Sequence, residues 1–274
     1  MSKILLCAIC LLLLFPILWM VAGSLQPAAL IFRVPPSLPR MPTLANYQAF
    51  LSKAPVLRWA WNSFLLTTII LFCILLSSSL AAYVLTTLNF KGKRFLYWLL
   101  ISGLMAPIPC LLVPRYIVSR YIGGINNWWG IIAMYIYAPG AIVLLRQCFT
   151  AIPRDFYDAA RIDGARDFAI LWHIVLPQST AVLAYLALGQ FLGALQDFVW
   201  PMLILNNRKL FTLPVGVLDF LRSYTSMYGG ASGQTQLVGM ELAGGTLLFL
   251  PALAIFIAFR NVLNKRFLEG GLKQ

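Results

Sequence analysis

An all-α membrane protein with six transmembrane helices is the fold class this sequence predicts, and three observations carry that prediction. Hydrophobic residues make up 61% of the 274 positions and charged residues only 11%, against about 25% charged in soluble domains. The apolar residues gather into six runs, each near the roughly 20 residues a helix needs to cross a bilayer. Within those runs apolarity is continuous rather than alternating, which selects helices over the strands of a barrel.

The first run lies near Ile4–Gly23. Lys3, an apolar stretch and "VAGS" outline a signal peptide. However, no clean A-x-A site follows, and the run exceeds an h-region of about 7–15 residues, so an uncleaved helix is expected. Cys7 and Cys10 form a C-x-x-C within it. No second ligand pair lies nearby and nothing stabilises a thiolate, so they read as small buried hydrophobes. The second run is near Trp59–Leu85, and the third near Phe95–Val113, with room to continue past Arg115. The fourth is near Trp129–Leu145, the fifth near Ser179–Leu205 and the sixth near Leu237–Phe259.

Two connections are long. From Leu25 to about Arg58 the chain carries Pro27, Pro35, Pro36, Pro39, Pro42 and Pro55, a density that predicts an extended, stiff segment rather than a helix. The other runs from Asn206 to about Gln236. An even number of spans puts both termini on one side. If that side is the cytosol, it holds 12 of the 21 basic residues, including the compact "KGKR" turn Lys91–Arg94, as the positive-inside rule favours. The net charge of +13 would suggest nucleic acid in a soluble protein. Here the basic residues flank apolar runs, where they anchor helices at lipid headgroups. No basic stretch is both long and free of membrane segments, so membrane lipid is a partner and nucleic acid is not.

Between the fourth and fifth spans lies a polar island, "DAARIDGARDFAILWHIVLP", Asp158–Pro177. With Asp155 just ahead of it, this region holds four of the eight acidic residues (Asp155, Asp158, Asp163, Asp167) and the only histidine, His173. Pro153 suits the first turn of a helix, and Ile152, Phe156 and Ala160 recur at helical spacing. Arg154 with Asp158, and Asp158 with Arg161, can pair along that helix. Ala159 and Ala160 leave a low-profile face, and Asp163-Gly164 is a stop signal. A second short helix begins near Asp167, with Phe168, Leu171, Trp172 and Val175 as its apolar face. Pro177 then marks the turn into the fifth span. A connection of this length exceeds the usual helix–helix loop and points to a function beyond linkage.

The island resembles the EAA loop of bacterial ABC-importer permeases, E-A-A-x-x-D-G-A, an aromatic, then I-x-L-P. Asp158, Ala159, Ala160, Asp163, Gly164, Ala165, Ile174, Leu176 and Pro177 occupy its key positions. Asp158 stands for the usual Glu, Leu171 for the usual Phe, and Ala181 where a second proline is common. "FPILWMVAGSL", "PTLANYQAF", "RWAWNSFLLTT", "IGGINNWWGIIAMYIY", "LQDFVWPMLIL" and "RFLEGGLKQ" resemble segments of the carbohydrate-type, maltose-permease-like subgroup, with Leu195-Gln196 replacing a Trp-Asn pair. The resemblance covers nearly the whole chain. It implies a single permease domain, 1–274, with the type I importer fold and both termini cytosolic, multi-pass in the bacterial cytoplasmic (inner) membrane. The loop at about 150–177 would then be a coupling helix, with Asp158, Ala159, Ala160, Asp163, Gly164, Ala165, Leu171, Ile174, Leu176 and Pro177 as the ATPase-coupling residues.

The implied partners are a second homologous permease subunit in a heterodimer, two copies of a cytosolic ABC ATPase and an external solute-binding protein. The chain carries no G-x-x-x-x-G-K-[ST] loop; "KGKR" lacks both the upstream glycine and the hydroxyl residue. No cofactor is therefore expected on this chain, with ATP and Mg used by the ATPase, and the chain itself is a transport subunit rather than an enzyme. The implied solute is a sugar or sugar-like molecule. Another solute such as glycerol 3-phosphate is the alternative, since Arg115, Arg120 and Arg208 leave a phosphate ester open.

Acids within spans are costly and default to function. Asp197 with Gln196 reads either as polar contact with a hydroxylated solute or as an interhelical hydrogen bond. Trp200 and Pro201 shape the helix near the pathway, and Glu241, near the outer end of the sixth span, reads as interfacial. Gln196, Asp197, Trp200 and Glu241 are the substrate-pathway candidates. His173 has no second ligand at suitable spacing, so no metal site is expected; it is placed to meet the ATPase or lipid headgroups. An ion-coupled secondary transporter would show paired interrupted helices, and an intramembrane enzyme a nucleophile–base pair or twin acids; the sequence offers neither.

Overall fold

Helix is the only regular structure among the described residues, as expected where hydrocarbon forces the backbone to satisfy its own hydrogen bonds. The computed structural model describes the backbone over 2–27, 30–31, 42–228 and 231–271, and side chains over 5–27, 30–31, 42–226 and 237–259. The helices are α1 (Ser2–Ser24), α2 (Ala45–Lys53), α3 (Val56–Thr87), α4 (Lys93–Ser102), α5 (Ile108–Tyr121), α6 (Trp128–Tyr135) and α7 (Pro139–Ala151). After them come α8 (Arg154–Ile162), α9 (Asp167–Ile170), a π-helical turn (Leu171–Val175), α10 (Leu176–Gln178), α11 (Thr180–Gln196), α12 (Val199–Ile204), α13 (Leu213–Tyr228) and α14 (Ala231–Gly271).

Among the described residues, three stretches are long and apolar enough to cross a membrane alone: Leu5–Ser24, Val56–Thr87 and Leu237–Phe259. They coincide closely with the first, second and sixth predicted spans. The fourth predicted span is a bent pair, α6 and α7, turned by 42°. The third is not one helix but two, α4 and α5. Its interruption falls at "GLMAPIP", where Pro107 holds an extended conformation ahead of α5; proline also disfavours helix in the residue before it. The fifth stops at Gln196 and resumes as α12, because Asp197 is extended.

The chain divides into two compact units, Met1–Asn62 with Phe211–Ala254, and Ser63–Leu210 with Ile255–Gln274. In the first unit, α1 exposes apolar residues on every side, Leu5, Leu11, Leu12, Leu13 and Phe15 among them, as a lipid-facing helix does. Cys7 and Cys10 are exposed on it rather than buried as expected, since the side chains around them face outward too. The long segment after α1 is not wholly extended. "ANYQAFLSK" lies between Pro42 and Pro55, contains no proline, and forms α2; Pro35, Pro36 and Pro39 lie outside the described residues. The segment Asn206–Gln236, expected as a loop, contains α13. Phe50 of α2 is fully buried and meets Phe220 of α13 edge-on at 4.9 Å. Gly216 lets α13 pass directly under the Trp59 indole, where any Cβ would collide. Asn46, buried, donates to the carbonyls of Ser24 and Gln26 at 2.9 Å each, satisfying one acceptor on the last residue of α1 and one just beyond it.

In the second unit, the loop ahead of α6 is clamped to the loop after α12. Asn126, in the left-handed conformation, accepts from the amides of Asn206 at 3.1 Å and Asn207 at 2.8 Å. The Trp128 indole donates to the Leu210 carbonyl at 3.0 Å, and Asn127 caps α6. Gly124 and Gly130 sit against each other too closely for side chains. These contacts account for Gly124, Gly130 and both asparagines of "IGGINNWWG", while Gly123 holds φ +70° in open space. On α3, Ser77 donates to the Ile136 carbonyl at 2.8 Å, an acceptor left free where α6 breaks from α7.

Candidate functional site

The polar island folds as two short helical elements meeting at a glycine, as expected. Helix α8 ends in a complete Schellman motif. Gly164 holds φ +80°, its amide donates to the Arg161 carbonyl at 3.0 Å, and the Ala165 amide donates to the Ala160 carbonyl at 2.9 Å. Space around Gly164 is open, so the position requires glycine for its conformation and not for room.

The buried face of α8 differs from the one expected. Tyr157 and Ala160 turn inward with Ile152, while Phe156 is half exposed. Spacing alone admitted Phe156. The observed face is fixed by the Tyr157 hydroxyl, which donates to the Phe149 carbonyl at 3.0 Å, near the end of α7; burial raises the pKa of that phenol. Neither expected ion pair on α8 forms. Arg161 instead reaches Asp167 at 3.3 Å. Asp167 also accepts from the Tyr83 hydroxyl at 2.9 Å, so one carboxylate ties the end of α8, the start of α9 and the end of α3. Sequence reasoning used Asp167 only as a helix start, because no motif reports a partner 84 positions away.

On the second element, Ile170, Leu171 and Val175 are buried, but Phe168 and Trp172 are 64% and 50% exposed. Those two rings stack at 6.0 Å beside exposed apolar residues of α3. The expected apolar face therefore divides into a protein-facing half and an outward half. A π-helical turn achieves this division, since one extra residue rotates the faces. His173 is exposed, within hydrogen-bond distance of the Ala169 carbonyl. Helix α11 then leaves at 82° to Asp167–Gln178, after Pro177. Of the ten coupling candidates, Asp158, Ala159, Asp163, Gly164 and Pro177 are exposed. Ala160 and Leu171 are buried, and Ala165, Ile174 and Leu176 are intermediate.

Three of the pathway candidates meet where α11 gives way to α12. One Asp197 carboxylate oxygen accepts from the amides of Val199 at 3.0 Å and Trp200 at 3.5 Å, capping α12. The other accepts from the Tyr135 hydroxyl of α6. This is the interhelical-bond alternative in geometric form, since protein donors already serve both oxygens. Trp200 is buried, whereas Gln196 is exposed. Glu241 belongs to the other unit, exposed on α14. Among the described residues no group of three or more His, Cys, Asp and Glu is placed to hold a metal ion.

A family model described as "Binding-protein-dependent transport system inner membrane component" matches residues 74–269. The arabinooligosaccharides transport system permease protein AraQ of Halalkalibacterium halodurans is 31% identical over 264 residues, covering 94% of this chain and 91% of that one. AraQ of Bacillus subtilis is 28% identical, with 96% and 92% covered. The galactooligosaccharides transport system permease protein GanQ of Bacillus subtilis is 29% identical, with 98% and 92% covered. Among solved structures, a chain of a bacterial ABC transporter involved in the import of the acidic polysaccharide alginate superposes with a TM-score of 0.79 at 21% identity, covering 95% of this chain and 94% of that one. That likeness establishes the fold.

Proposed function

The chain belongs to the inner-membrane components of binding-protein-dependent transport systems, and from that premise we propose that it is the permease subunit through which a sugar or short oligosaccharide enters the cell. As a member of that family it is a transport component, not an enzyme. The observation that carries the solute class is agreement among relatives matched over nearly their full lengths, which are named for arabinooligosaccharide and galactooligosaccharide transport.

In this reading α8 lies on the cytosolic side and docks on an ABC ATPase, two copies of which bind the permease pair and use ATP and Mg. A second, homologous permease completes the pair as a heterodimer, and the binding protein delivers solute from outside. The coupling candidates then divide by exposure. Asp158, Ala159 and Asp163 are placed to touch the ATPase. Gly164 and Ala165 hold the end of α8, Ala160, Leu171, Ile174 and Leu176 seat both elements on the bundle, and Pro177 marks the turn into α11. The Arg161–Asp167–Tyr83 link gives motion of α8 a direct path to α3, a rigid-body transmission of the hinge-and-shear kind. In the pathway, Gln196 is the residue assigned to solute contact. Asp197 and Trp200 build the break beside it, and Glu241 is assigned to an interface.

Purification of the tagged chain with its co-expressed neighbours tests the reading. An ATPase and a second permease should co-purify, and the external binding protein should bind an oligosaccharide. Recovery of the chain without an ATPase, with uptake driven by an ion gradient, would refute it.

A further inference from the structure

Beside α8 the second unit encloses a recess of about 340 Å³ lined by Lys93, Arg146, Arg154, Tyr157, Asp158 and Arg161, among others. Four cations meet one carboxylate there. Arg161 is already paired with Asp167, outside the lining. Lys93, Arg146, Arg154 and Asp158 form no ion pair among the described residues. The Lys93 ammonium donates only to backbone carbonyls, Leu88 at 2.8 Å and Thr86 at 3.4 Å. Arg146 lies over the Tyr97 ring at 4.0 Å, and its Nε is buried without a partner. Burial, then the charges of Arg146 and Arg154, hold Lys93 below the ordinary lysine pKa. A fold that gathers like charges in a sheltered recess pays electrostatic repulsion there, and an anionic ligand removes it.

The surroundings select the kind of anion. An adjoining recess of about 450 Å³ shares Lys93 and Arg146 and is lined also by Phe90, Arg94 and Tyr97. Along α4, Phe95, Trp98 and Leu99 are 72%, 59% and 55% exposed, an apolar surface suited to acyl chains. Cationic ground at the foot of an exposed apolar helix matches the two ends of a phospholipid, as in basic pockets that take anionic headgroups. We propose that the recess lined by Lys93, Arg146 and Arg154 binds the phosphate of an anionic phospholipid headgroup, whose acyl chains lie along α4. The assignment uses only the membrane location of the chain and is independent of the solute proposed above.

The test is native mass spectrometry of the full-length chain, with whatever subunits co-purify, titrated with phosphatidylglycerol, phosphatidylcholine or inorganic phosphate. Phosphatidylglycerol should bind in preference to phosphatidylcholine. Arg146→Gln and Lys93→Gln should each lower that preference by about fivefold and the pair by about 25-fold, while Arg146→Lys retains most of it. Thermal unfolding of each variant identifies any that fails to fold, and Lys93→Gln carries the test if Arg146→Gln does. Equal binding of the two lipids, or an unchanged preference in folded Lys93→Gln, overturns the proposal. So does inorganic phosphate binding that these substitutions abolish without any lipid preference, since the source would then be a free anion.

Discussion

Replacing Gly164 separates conformational from steric effects at the end of α8. The residue holds φ +80°, and a Cβ built there meets nothing within 4 Å. The cost of a side chain is therefore the backbone penalty alone, about 1–2 kcal/mol for an ordinary residue in the left-handed region and more for a β-branched one. That penalty acts on the two bonds that close the motif, Gly164 to Arg161 and Ala165 to Ala160. It is too small to unfold a bundle of long apolar helices, but it shifts the α8 terminus from its seated form by a factor of about 5–30. The expected order of solute-stimulated ATPase activity in the reconstituted transporter is Gly, then Asn, Ala and Val, because Asn tolerates the left-handed conformation best of the three. Chain abundance in the membrane should change little across the series. Wild-type stimulation in Gly164→Val would refute the docking role of this terminus, and a loss governed by side-chain volume rather than by φ preference would refute the mechanism.

Three further outcomes follow from the geometry. Asp167→Ala and Tyr83→Phe should each lower thermal stability in detergent, and the double variant should show a coupling of about 1 kcal/mol, since each removes the bond joining α3 to α9; strict additivity would deny the link. Asp197→Ala should cost about 1 kcal/mol through loss of the α12 cap, while Asp197→Asn leaves apparent solute affinity unchanged; a loss in Asp197→Asn equal to that in Gln196→Ala would return the carboxylate to the solute path. Asn46→Leu strands two acceptors at the end of α1 and just beyond it and should destabilise the chain by at least about 2 kcal/mol, which unaltered thermal unfolding would contradict.

Spans were readable from the sequence where apolarity is long and uninterrupted, as in Val56–Thr87. They were less so where one polar or proline residue divides a run. Pro107 splits the third, and Asp197 reads in sequence as a charge within a span, whereas it caps a helix that restarts. Helices α2 and α13 were missed because each is short or amphipathic, and a search for spans has no use for such segments. The pairing of Phe50 with Phe220 that stabilises both is set by tertiary structure. In the island, "DG" gave the α8 stop correctly because left-handed glycine is a local property. Its buried faces were misjudged because Phe156, Phe168 and Trp172 are apolar yet exposed. In a membrane protein, hydrophobicity does not separate a side that meets protein from one that meets lipid or another subunit. Arg161 had Asp158 as its local partner in the sequence and reaches Asp167 instead, whose carboxylate also accepts from Tyr83 on a distant helix.

ATP hydrolysis and sugar accumulation, measured together in proteoliposomes holding this chain with its co-purifying subunits, test the central claim most directly. Oligosaccharide-loaded binding protein should stimulate hydrolysis and fill the lumen with sugar, and Gly164→Val should depress both together. Sugar accumulation that continues without ATP, or hydrolysis indifferent to the loaded binding protein, would contradict it.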